Sequence, residues 1–108
     1  LARVEAGEED PACLECGGIL KSATISFGEN LVAADLYRAE QAAQQADVFL
    51  ALGTSLGVYP AAALPEIALR RDARLVIINA QETPFDLAAD AIVREQLGTV
   101  LPEIVARI

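Results

Sequence analysis

The sequence contains no histidine and no methionine. Without histidine, the chain cannot supply an imidazole as a general base or as a metal ligand. Because it lacks an initiating methionine, we interpret the chain as part of a longer protein. No apolar run approaches the roughly 20 residues of a transmembrane helix, and the polar, acidic stretch 1–9 is unlike a signal peptide. We therefore expect a cytoplasmic protein that has no membrane partner.

Positive charge is also scarce. The 108 residues carry 8 basic and 16 acidic side chains, which gives a formal net charge of -8. Such a field repels the phosphate backbone of nucleic acids and anionic lipid heads, so we expect neither as a partner. In contrast, 54% of the residues are hydrophobic, as in a folded domain. The length fits one small domain or part of one.

Four stretches predict strands. Residues 47–53 and 74–79 are near-continuous apolar runs, typical of parallel strands buried on both faces. Residues 91–93 form a shorter run of the same kind, and the β-branched and aromatic residues of 23–27 predict a strand ahead of the others. Since helical patterns separate most of these stretches, we predict a parallel sheet covered by helices.

Three helices are predicted around these strands. One begins at Asn30 as its N-cap and runs to residue 46, and another covers 60–71, provided that Pro65 falls in its first turn. A last helix follows Thr99 as its N-cap. Residues 1–12 are charged and are interpreted as a loop or linker.

Polar turns follow the two long predicted strands. Ligands of parallel sheets bind outside the carboxyl ends of the strands, where we find Gly53-Thr54-Ser55 and Asn79-Ala80-Gln81. Glycine lets a ligand approach the backbone, while hydroxyl and amide groups can bond phosphate or ribose oxygens. Each of them could also be an ordinary turn that ends a strand and binds no ligand, but the two together favour a nucleotide site.

Cys13 and Cys16 have the spacing at which two thiolates share one zinc ion, and glycines follow them directly. Two cysteines make half of a tetrahedral site, so the other ligands would come from outside this chain. A redox dithiol or two inert thiols are the alternative interpretations.

In order along the chain, these motifs resemble the Sir2 (sirtuin) family of NAD-dependent protein deacylases, most closely its bacterial members. The resemblance extends from Cys13 to Ile108. It rests on Cys13-x-x-Cys16-Gly17-Gly18, Phe27-Gly28-Glu29, Ala46-Asp47, the stretch from Gly53-Thr54-Ser55-Leu56-Gly57 through Val58-Tyr59-Pro60 to Ala62, Ile78-Asn79 and Thr83-Pro84.

The resemblance implies an α/β fold: an incomplete Rossmann-like (DHS-like NAD/FAD-binding) parallel sheet in 23–108 and the remnant of a small zinc-binding module in 1–22. NAD is then consumed rather than used as a redox carrier, because the acyl group of a lysine passes to ADP-ribose as nicotinamide leaves. An acyl-lysine protein or peptide would be the partner.

The resemblance also implies roles for particular residues. Cofactor contacts are expected from Gly53, Thr54, Ser55, Asn79, Ala80, Gln81 and Leu97, with Leu97 against the adenine. Zinc would bind Cys13 and Cys16, and the acyl-lysine substrate would contact Phe27, Gly28, Glu29 and Val58.

The sequence departs from the family pattern in several places. Lys21-Ser22 stands where a basic-Pro pair is usual, and Leu31-Val32 stands in place of Leu-Pro. The glycine-rich NAD motif, the catalytic histidine and the first cysteine pair are missing, so we expect no turnover by this chain alone. A non-catalytic NAD or ADP-ribose binder, such as a decayed sirtuin, is the alternative. A related sheet domain of thiamine-dependent enzymes is another, but it has no use for the cysteines.

Overall fold

The computed structural model describes all of residues 1–108. They fall into two units, Leu1–Asn30 and Leu31–Ile108. The predicted boundary between a zinc module (1–22) and a sheet domain (23–108) stays a prediction, because a division by contacts does not say where a metal-binding module ends.

The second unit is built on three parallel strands in the order β1-β2-β3. The strands are β1 (Val48–Leu52), β2 (Arg74–Ile78) and β3 (Ala91–Val93). The register pairs Leu52 with Ile78 and Ile78 with Val93, so all three strands end at the same edge. The parallel sheet and its three apolar strands are confirmed.

Helices α2 (Ala33–Gln45), α3 (Leu64–Leu69) and α4 (Leu97–Val105) accompany the sheet, and a 3-10 turn at Ala61–Ala63 leads into α3. Pro65 lies in the first turn of α3, where its missing N–H leaves no helical bond unmade. The three predicted helices are confirmed. None of the helices combines the length and the apolarity needed to cross a membrane.

Both predicted N-caps were wrong. The backbone N–H groups of Asp35 and Leu36 donate to the carbonyl oxygen of Val32, so α2 begins after Val32 and not at Asn30. Thr99 donates its backbone N–H to Gln96, which is the N-cap of α4, so Thr99 lies inside the first turn. Neither observed cap residue makes a side-chain hydrogen bond to its helix.

The core lies on one side of β1. Ala51 packs with Leu56, Leu75 and Ile77, while Ala43, Ala68 and Ala73 form a second buried cluster. Since Val48 and Leu50 are 51% and 57% exposed, the expectation that β1 is buried on both faces was wrong. The reason is that α3 packs on the face where Phe49 and Ala51 point, while the opposite face, which carries Val48 and Leu50, is left open.

The first unit contains little regular structure. A one-turn helix, α1 (Ala2–Glu5), replaces the predicted loop, and an ion pair between Arg3 and Glu8 supports the chain after it. The predicted strand at 23–27 was wrong. Its backbone has no partner strand, and Ser26 instead forms a turn with Glu29, accepting the Glu29 N–H at 3.0 Å. Strand propensity is expressed only where a neighbour completes the ladder.

Candidate functional site

Gly53 ends β1 in a conformation that glycine favours. Its φ is +60°, and its N–H donates to the carbonyl oxygen of Ile78 at 2.9 Å, which ties the end of β1 to the end of β2. A Cβ at this position would lie 3.2 Å from Cδ2 of Leu97, the first residue of α4. The backbone therefore comes close to α4 because residue 53 has no side chain.

The rest of this turn is anchored in the core. Leu56 has a φ of +53°, unusual for a residue with a side chain, and that side chain is only 8% exposed. Its N–H donates to Oγ1 of Thr54 at 3.2 Å. Thr54, Ser55 and Val58 line a cavity of about 390 Å³ beside β1. The sequence suggested no role for Leu56, and nothing but its structural setting reveals one.

Asn79 follows β2 at the same edge of the sheet. Its N–H donates to Val93 at 3.1 Å, and its side-chain amide nitrogen donates to the carbonyl oxygen of Gln81 at 2.9 Å. The side-chain oxygen is left as an acceptor for a ligand hydroxyl. Ala80 is exposed in the same turn.

A polar network that the sequence analysis missed supports this turn. The guanidinium of Arg94 donates to the carbonyl oxygen of Asn79 at 3.1 Å and forms an ion pair with Asp86. Oγ1 of Thr83 donates to the other Asp86 oxygen at 2.7 Å. The spacing Thr-x-x-Asp was the available signal, since it is typical of a capping arrangement at the start of a helix.

The Thr83 hydroxyl and the Arg94 guanidinium hold the pKa of Asp86 below its ordinary value, although partial burial opposes them. Asp86 is consequently ionised at neutral pH and keeps Arg94 beside Asn79.

Three strand ends thus bring Gly53, Asn79 and Leu97 to one edge of the sheet. Loops and a helix N-terminus that gather outside the carboxyl ends of parallel strands define the Rossmann-like class of α/β folds. The site residues predicted in the second unit lie in these loops, except for Leu97, which begins α4. Val58 is the member farthest along the first loop and is 55% exposed. Their roles stay predictions.

The cysteine pair lies in the first unit. The neighbouring backbone N–H groups of Cys16 and Glu15, followed by the Cys16 thiol, favour the thiolate form and lower the pKa of the Cys13 thiol. The Gly17 N–H donates to the Cys13 carbonyl oxygen at 2.8 Å and closes the turn with a φ of +70°. No group of three or more His, Cys, Asp or Glu residues that could hold a metal ion is present in residues 1–108. The donor set fits two of the four positions of a tetrahedral zinc ion.

Phe27, Gly28 and Glu29 form a turn in the first unit. Phe27 is 93% exposed, and the Glu29 carboxylate accepts bonds from the Ser26 N–H at 2.9 Å and from Lys21 at 3.2 Å. Because those bonds come from within the turn, Glu29 fixes its shape. Val58 belongs to the other unit, so the joint substrate role of these four residues stays a prediction.

Comparison with known proteins identifies the family. The family model described as the Sir2 family matches residues 2–60. NAD-dependent protein deacetylase 2 of Streptomyces coelicolor is 51% identical over 104 residues, which are 96% of this chain and 43% of that protein. The NAD-dependent protein deacetylase of Sulfolobus acidocaldarius is 46% identical over 108 residues, which are 100% of this chain and 42% of that protein.

A solved structure of Sir2 with a p53 peptide and NAD+ has a TM-score of 0.75 at 33% identity, covering 98% of this chain and 44% of that one. The chain belongs to the Sir2 family, which confirms the resemblance inferred from the sequence. It spans less than half the length of these relatives.

Proposed function

We propose that the chain provides part of the NAD site of a protein lysine deacetylase or deacylase. In that reaction the acyl group of lysine passes to ADP-ribose, nicotinamide is released and one water is consumed, so the enzyme is a transferase that also cleaves an amide with water, as a hydrolase does. The observation that carries the proposal is how closely the Gly53 backbone approaches Leu97: a Cβ at residue 53 would lie 3.2 Å from Cδ2 of Leu97. Asn79 follows the neighbouring strand at the same edge of the sheet. The names of the relatives, which are NAD-dependent deacetylases, support it.

Each half of this edge suits one part of the cofactor. The turn Gly53-Thr54-Ser55 offers backbone N–H groups and hydroxyls for phosphate and ribose oxygens. Asn79 offers a side-chain oxygen to a ribose hydroxyl, with Ala80 and Gln81 beside it. Leu97, half-buried at the start of α4, offers an apolar surface to the adenine.

The first unit would contribute zinc and substrate contacts. Cys13 and Cys16 would supply two thiolates, and two further ligands would come from outside the chain. The exposed ring of Phe27 on its fixed turn suits the alkyl stem of an acyl-lysine, and the related structure with a p53 peptide supports a peptide partner. A cytoplasmic location, like the lack of nucleic-acid and membrane partners, stays a prediction.

A non-catalytic ADP-ribose binder is the second candidate, because the strand ends that bear Gly53 and Asn79 would serve nucleotide binding with or without catalysis. The coding sequence upstream of Leu1 separates the two. A glycine-rich strand-turn and a His-Gly pair in frame would support the enzyme, whereas an immediate stop codon would leave only the binding module.

The nucleotide site is tested by titrating the chain with ADP-ribose in a calorimeter. Gly53→Ala should weaken binding about tenfold, or about 1.4 kcal/mol, because the new Cβ would push Leu97 away and strain the turn. Gly57→Ala is the matched control in the same loop, since its Cβ would lie an ordinary 3.7 Å from Ser55 Oγ. Absence of ADP-ribose binding by the unaltered chain would overturn the proposed site.

A further inference from the structure

Arg94 joins two points of the loop that follows β2. It directly follows β3, and its guanidinium donates from one nitrogen to the Asn79 carbonyl oxygen at 3.1 Å and from another to the Asp86 carboxylate. A planar guanidinium can hold both acceptors at once because its donors point in fixed directions. One side chain therefore sets the distance between the start of the loop and Asp86.

The far end of this connection is itself fixed. Thr83 is only 8% exposed, its Oγ1 donates to Asp86 at 2.7 Å, and the same oxygen accepts the Phe85 N–H at 3.3 Å. The two carboxylate oxygens of Asp86 are thus shared between Thr83 and Arg94. The Arg94 guanidinium has little freedom to turn elsewhere.

The near end controls Asn79. With its N–H bonded to Val93 and its carbonyl oxygen bonded to Arg94, the backbone of Asn79 is held on both sides. The side-chain nitrogen is bonded to Gln81, so the remaining side-chain oxygen has a defined direction. We propose that Arg94 is a positioning residue that fixes the Asn79 side-chain oxygen as the acceptor for the adenosine ribose hydroxyls, an inference that rests on the proposed nucleotide site.

The test compares two ligands that differ only in those hydroxyls, ADP and 2′,3′-dideoxy-ADP. Arg94→Lys keeps the positive charge but cannot hold Asp86 and Asn79 in one fork. We expect it to weaken ADP about fivefold, the factor for one lost hydrogen bond, and to change dideoxy-ADP binding less than twofold. Arg70→Lys, which alters an arginine paired with Glu66 on α3, is the matched control and should change neither affinity.

A second variant guards against a failure of Arg94→Lys to fold. Asp86→Asn removes the charge that holds Arg94 and should give the same selective loss for ADP. An NMR titration reads the affinities and also follows the Asn79 side-chain amide signal, which should broaden or shift in both variants and not in Arg70→Lys. Equal weakening of the two ligands, or no weakening of ADP, would overturn the positioning role. If the unaltered chain bound neither ligand, the proposed nucleotide site itself would be what failed.

Discussion

Leu56 combines a left-handed backbone with a side chain buried in the core, and substitutions at this position separate the two effects. Its φ is +53° and it packs against Ala51, Leu75 and Ile77. It thereby anchors the loop that begins at Gly53. A left-handed backbone is unfavourable for a residue that has a Cβ. We therefore infer that the packing of the Leu56 side chain in the core maintains this conformation.

The magnitudes follow from that arrangement. Leu56→Ala removes most of a buried side chain, which costs about 2–5 kcal/mol of unfolding free energy, and it keeps the roughly 1–2 kcal/mol penalty of a left-handed residue. Leu56→Gly loses the Cβ contacts as well but removes the backbone penalty; the lost Cβ and the entropy of a more flexible unfolded chain offset part of that gain. We therefore expect the glycine variant to be more stable than the alanine variant, by up to about 1 kcal/mol.

The assay is urea unfolding followed by circular dichroism. Ala42→Gly, at an exposed position in the last turn of α2, provides the matched comparison. There the order is reversed, and the glycine variant should be less stable than the alanine by up to about 1 kcal/mol. Both Leu56 variants should also weaken ADP-ribose binding, because the turn loses its anchor. An alanine variant at position 56 that equals or exceeds the glycine variant in stability would refute the reasoning.

The remaining predictions concern the titrating groups. The pKa of Asp86 is lowered in the folded state, chiefly by Thr83, so its contribution to stability is present above its unfolded pKa of about 3.9 and is lost as the pH falls through the folded value. In urea unfolding at several pH values, Asp86→Asn should be less stable than the unaltered chain at pH 7 and should approach it in acid; parallel curves would contradict this. Because a serine hydroxyl stays protonated at neutral pH, Cys13→Ser should lower the zinc affinity of the chain at least about tenfold in competition with a chromogenic chelator, and an unchanged affinity would exclude Cys13 as a ligand.

The sheet was predictable because its signal is local. The apolar runs that became β1 and β2 are nearly uninterrupted, and the helical spacing between them implies parallel pairing; the run that became β3 is of the same kind but has only three residues. The stretch 23–27 carried a similar composition but lacked a neighbour, which the sequence of the stretch itself does not encode. The predicted caps at Asn30 and Thr99 failed because the first helical N–H groups bond to the carbonyl oxygens of Val32 and Gln96, whose side chains are not of the types that favour a cap.

Only those features of the site that follow from the strand topology could be predicted from the sequence. Knowing that the strands are parallel is enough to place Gly53 and Asn79 at one edge, because parallel strands end together. The network from Thr83 through Asp86 to Arg94 depends on how one loop folds back onto the end of β3. The spacing Thr-x-x-Asp is a sequence signal for Thr83 and Asp86, but no local pattern links Arg94 to them, so the complete network is visible only in the three-dimensional structure.

The candidate nucleotide edge is held by contacts that are independent of one another. Gly53 is fixed against Leu97, Leu56 is fixed in the core, and Asn79 is fixed by Arg94, all within the second unit. The cysteine pair and Phe27 lie in the first unit. The proposed nucleotide contacts therefore lie in one unit and the proposed zinc ligands in the other, while the proposed acyl-lysine contacts are divided between Phe27, Gly28 and Glu29 in the first unit and Val58 in the second. Because these residues are proposed to contact the nucleotide and not the reacting acyl group, ligand affinity is the quantity that tests them directly.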